Sequence, residues 1–67
     1  MISERIFRAR RSARMTVEQA AAESGVEADQ FRKYEDGTEV PGHEVLKRIG
    51  EAFKLKVSYF HRPGGNL

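Results

Sequence analysis

No cysteine occurs among the 67 residues, and no tryptophan. The first absence excludes a disulfide framework and every thiolate metal site, and it fits a reducing cytosol. No apolar run approaches the roughly 20 residues of a membrane span, and the N-terminus has no apolar stretch of the signal-peptide kind. The expectation is a soluble, untargeted cytoplasmic chain. Histidine is scarce as well, with His43 and His61 alone. His43-Glu44 opens like the zinc signature HExxH, but Lys47 stands where the second histidine belongs. No glycine-rich loop lies between a strand and a helix, since Gly64-Gly65 falls near the C-terminus. Ser3, Ser12, Ser24 and Ser58 have no evident base beside them. The sequence therefore predicts no metal, no cofactor and no enzyme.

What is present is charge. One third of the residues are charged, 39% are hydrophobic, and the net charge is only +2. That balance suits a globular chain and permits nucleic acid as a partner without demanding it. The distribution says more than the total. Residues 1–14 carry +4, residues 15–46 carry −6, and residues 47–67 carry +4. A simple DNA-binding face does not predict this basic–acidic–basic order.

Sixty-seven residues make one domain, and a chain so short buries only about 60% of its unfolded surface. Helix packing must hold it together. The pattern predicts five short helices and no strand, an all-α fold. The first spans about Ser3–Ala13, with Ser3 as N-cap. Ile2, Ile6, Phe7 and Ala13 form its apolar face, and Arg5, Arg8 and Arg11 turn outward. Arg14-Met15-Thr16 connects to a second helix, Val17–Glu23, capped by Thr16 and rich in alanine. Ser24-Gly25-Val26 breaks the chain, because glycine tolerates the left-handed geometry of a helix end. A third helix, about Glu27–Asp36, turns Phe31 and Tyr34 inward, and Gly37 stops it. The fourth, His43–Phe53, is the most periodic, with Val45, Leu46, Ile49, Ala52 and Phe53 on one face and Lys47, Arg48 and Glu51 in water. A final short helix near Val57–His61 presents Val57 and Phe60. The domain is expected over residues 1–61, and residues 62–67 read as a flexible tail or linker.

Helix, glycine-containing break, helix is the helix-turn-helix arrangement. Thr16, Ala21, Gly25-Val26 and Tyr34-Glu35 stand where the phage-repressor (XRE/Cro-type) family has a hydroxyl cap, a packing alanine, a turn and an aromatic–Glu pair. The sequence resembles that family without gaps from Ile2 to about His61. The resemblance implies a recognition helix at about Glu27–Asp36 in the major groove. It also implies an ion pair between Arg10 and Glu35. The alternative for those two charges is independent exposure to solvent. Arg14 and Lys54 depart from the family, standing where glycine commonly closes helices one and four.

Candidate DNA contacts follow from the same alignment of roles: Thr16, Val17, Ala28, Asp29, Gln30, Arg32 and Lys33, with Arg11 and Arg14 toward the phosphates. An acid can accept from a cytosine amino group, yet Glu27 and Asp29 also suit the positive end of a helix dipole. Asp29 stands four residues before Lys33, the favourable order for an intrahelical pair. Val57, Tyr59 and Phe60 offer a patch for a homodimer, or else close the core. The leading expectation is sequence-specific binding of double-stranded DNA as a nucleoid-associated bacterial or phage transcriptional regulator. Two alternatives stand beside it. One is a protein-interaction module that keeps the fold without binding DNA. The other is the N-terminal domain of a longer repressor-type protein, since Tyr59-Phe60-His61-Arg62-Pro63 resembles the junction to a C-terminal zinc-peptidase domain.

Overall fold

The computed structural model describes residues 1–61, and all their regular structure is helical. The helices are α1 (Ile2–Ser12), α2 (Val17–Ser24), α3 (Ala28–Asp36), α4 (His43–Phe53) and α5 (Val57–Phe60). The tail expected over 62–67 lies outside the described residues.

One core joins all five elements. Ile6 and Ala9 come from α1, Ala20 and Ala21 from α2, and Phe31 and Tyr34 from α3. Leu46 and Ile49 of α4 and Phe60 of α5 complete it. The small alanines let α2 approach closely, and it packs against both α3 and α4 while α1 packs against α3. No buried side-chain polar atom among the described residues lacks a hydrogen-bond partner.

Several local expectations need correction. Ser3 is not the cap of α1, because the Arg5 amide already bonds the Met1 carbonyl at 3.1 Å and starts the helix earlier. Phe7 and Ala13 are exposed, since Ile6 and Ala9 fix the inward face and the helical advance carries Phe7 off it. The Phe7 ring is instead flanked by the guanidinium groups of Arg10 and Arg11, at 5.6 and 5.5 Å. Arg5 is half-buried over the Tyr59 ring at 4.9 Å rather than turned to water. Ser24 belongs to α2, where its buried hydroxyl donates to the Ala20 carbonyl at 2.8 Å. Glu27 precedes α3 instead of opening it, and α5 ends at Phe60.

Three helices close in the same way. After α1, α2 and α4 the chain takes a left-handed residue: Arg14 (φ 58°), Gly25 (φ 73°) and Lys54 (φ 60°). In each case the next amide reaches back to the last helical turn. Met15 bonds Arg10 O at 3.3 Å, Val26 bonds Ala21 O at 3.0 Å, and Leu55 bonds Gly50 O at 2.8 Å. This is the Schellman closure, and only Gly25 fills it with the residue that bears no steric cost there.

Candidate nucleic-acid interface

The α2–α3 unit starts from its cap. Thr16 Oγ1 accepts from the Gln19 amide at 3.0 Å, and the Gln19 side chain accepts from the Thr16 amide at 2.9 Å. This reciprocal box defines the first turn of α2. At the other end, Gly25 reverses the chain and Val26 packs against the core. A contact from outside the unit secures the turn: Arg48 Nε of α4 donates to the Ser24 carbonyl at 3.1 Å. Arg48 is exposed, as expected, yet its Nε reaches across because the end of α2 leaves carbonyls without helical partners.

A second clamp sets α1 on α3. Arg10 Nε donates to Glu35 Oε2 at 2.6 Å and Arg10 Nη2 to Glu35 Oε1 at 3.3 Å. Arg10 Nη1 also donates to the Met15 carbonyl at 3.0 Å. The two side chains are only 14% and 10% exposed, so this forked pair is largely removed from solvent.

The outer surface of α3 carries the candidate contacts. Asp29, Arg32 and Lys33 are exposed, and Gln30 is half-buried on the flank toward the α3–α4 loop. Arg32 lies between two carboxylates, with Nη1 donating to Asp29 Oδ1 at 3.0 Å and Nη2 to Glu18 Oε2 at 2.7 Å. The Asp29–Lys33 pair expected from spacing does not form. Lys33 Nζ lies 3.9 Å from Glu39 Oε2 instead, and Gln30 Nε2 donates to Glu39 Oε1 at 2.6 Å. Val17 and Ala28 turn partly onto the core, which limits what either offers a ligand. The Thr16 side chain is engaged in its cap, and Arg11 and Arg14 are exposed at the end of α1.

Two carboxyls near this surface are held below their ordinary values. The Glu18 carboxylate is stabilised first by its own backbone amide in the opening turn of α2; desolvation opposes this next, and the charge and hydrogen bond of Arg32 add to the lowering. The Asp36 carboxylate accepts from both the hydroxyl and the amide of Thr38, which ties down the loop after α3. Glu18, Glu39 and Arg48 escaped sequence reasoning. Their partners are 14, 9 and 24 residues away, outside any helical period.

Phe60 cannot serve a dimer surface as expected, because it is 1% exposed and packs into the core. Val57 and Tyr59 remain half-buried at that edge. No described helix is long and apolar enough to cross a membrane, and no three His, Asp or Glu side chains among the described residues gather as a metal-binding group.

Two short helices joined through a left-handed glycine, the second with an outer edge in solvent, define a helix-turn-helix unit. Residues 3–58 match the family model described as a helix-turn-helix domain, and the chain belongs to that family. No curated protein and no solved structure matches it.

Proposed function

We propose that the protein binds double-stranded DNA sequence-specifically as a transcriptional regulator, with α3 entering the major groove and α2 lying across the backbone. The observation that carries this reading is the fixed α2–Gly25–α3 unit. It is clamped from α4 by Arg48 and from α1 by Arg10, while Asp29, Arg32 and Lys33 stay in solvent. Second helices held in this way read base edges. Asp29, Gln30, Arg32 and Lys33 are assigned to the groove, and Thr16, Arg11 and Arg14 to the phosphates. A homodimer through Val57 and Tyr59 would place two such helices on a palindromic site. The cytoplasmic nucleoid is the compartment this role requires.

The test is titration of the protein into labelled duplexes across a salt series. Five or more phosphate contacts give a log–log slope steeper than about −4. A flat response rejects the proposal.

One observation favours a second reading, a protein-interaction module on the same fold. Every cation on the outer face of α3 already has a carboxylate partner. Reversing Glu27 and Asp29 together to Lys separates the two readings. Affinity that appears from none marks an abandoned DNA site, whereas affinity that is lost marks acids engaged with bases.

A further inference from the structure

An aspartate on the leading turn of a recognition helix is unfavourable beside phosphates unless its charge is compensated and one oxygen is kept for a base. At Asp29 one oxygen is kept free, and the charge is compensated in part by Arg32, which it shares with Glu18. The side chain is 94% exposed, and only Oδ1 is engaged, by Arg32 Nη1 at 3.0 Å. Arg32 is itself held in place across the turn, because Nη2 donates to Glu18 Oε2 of α2 at 2.7 Å. The planar guanidinium thus links the first turns of both helices and biases the rotamer of the aspartate. Oδ2 is left as an acceptor with no donor of its own.

From this geometry we propose that Asp29 reads a cytosine, and that Arg32 and Glu18 are positioning residues that aim it. The inference rests on the DNA-binding reading above. An ionised carboxylate only accepts hydrogen bonds. In the major groove it therefore selects an exocyclic amino group, cytosine N4 first, and is repelled by guanine O6 and thymine O4. Arg32, occupied by two acids, makes no base contact of its own in the groove and acts there through Asp29. Its positive charge, shared with Glu18, offsets part of the repulsion that Asp29 would otherwise meet. Lys33, only loosely paired with Glu39 at 3.9 Å, remains the cation for the DNA itself.

The experiment is selection from a pool of randomised duplexes with the full chain and four variants: Asp29→Asn, Arg32→Leu, Arg32→Lys and Glu18→Gln. The wild type should enrich a sequence containing one position with a cytosine preference of about fivefold or more. Asp29→Asn should shift that single position toward adenine, whose edge matches an amide, and leave the others unchanged. Arg32→Leu should erode the preference at the same position, Glu18→Gln should do so more weakly, and Arg32→Lys should restore part of it. Retention of the remaining positions shows that each variant is folded. If Asp29→Asn leaves every position as it was, or Arg32→Leu weakens binding uniformly with the cytosine intact, the inference is overturned and DNA binding stands. If the wild type enriches nothing, DNA binding fails and the inference fails with it.

Discussion

Arg48 of α4 holds the Ser24 carbonyl at 3.1 Å, beside the glycine on which α2 turns into α3. The same Nε lies 3.6 Å from where a Cβ on Gly25 would stand, which is ordinary van der Waals contact. Sterics against Arg48 therefore do not require a glycine. The backbone does, because φ is +73°. Gly25→Ala should cost about 1–2 kcal/mol through the left-handed conformation alone. Arg48→Met should cost about 1 kcal/mol through the lost hydrogen bond. Urea unfolding of the two single variants checks this.

The Arg10–Glu35 clamp obeys a different rule. Removing one partner strands the other charge in a largely dry site, so Arg10→Met or Glu35→Leu should each destabilise by about 3 kcal/mol. Making both changes together should recover much of that loss, because no unpaired charge remains. A double-mutant cycle in urea reads the difference. Near-additive losses would show that the pair is solvated after all.

How far the sequence reveals this molecule depends on the range of the interaction. The α4 face was legible because Leu46 and Ile49 repeat at helical spacing, and the α4 boundaries agree with the structure. The turn was legible because a glycine between two helical patterns has few other uses. The face of α1 was misread, since Ile6 and Phe7 are equally apolar and only tertiary packing decides which goes inward. The Arg32–Glu18 and Gln30–Glu39 contacts join residues that no periodicity links. Asp29 offered partners at both i+3 and i+4, and Arg32 wins because Glu18 holds it from the other side. Arg14 and Lys54 were recognisable as misfits at glycine positions, and both do adopt positive φ.

Those misfits make a prediction of opposite sign to most substitutions. Lys54→Gly should stabilise the protein by about 0.5–1 kcal/mol, because relief of left-handed strain exceeds the added entropy of the unfolded chain. A few residues earlier the reverse holds. A Cβ on Gly50 would stand 2.7 Å from the Leu55 carbonyl oxygen, a backbone atom that cannot swing aside. Gly50→Ala should lose about 1–3 kcal/mol to overpacking, more than the roughly 1 kcal/mol gained in helix propensity. Thermal melting should move up for the first variant and down for the second.

Acid should weaken the contacts that Glu18 and Asp36 make. The Glu18 and Asp36 carboxyls lie below their ordinary values of 4.5 and 3.8, so each binds fewer protons folded than unfolded. A group of this kind contributes stability above its unfolded value, and the contribution disappears as pH falls through the lower folded value. The loss therefore begins below about pH 4.5 and not near neutrality. It is small, since both groups face solvent and are screened. Carboxyl-carbon NMR titrations separate the causes. Arg32→Met should raise the Glu18 midpoint only in part, because the backbone amide of the first α2 turn is the larger stabiliser. Thr38→Val should raise Asp36 further toward its ordinary value, because the hydroxyl is the larger of its two Thr38 donors. A Glu18 midpoint that returned fully to 4.5 in Arg32→Met would mean that the guanidinium, and not the helix terminus, holds this carboxylate charged.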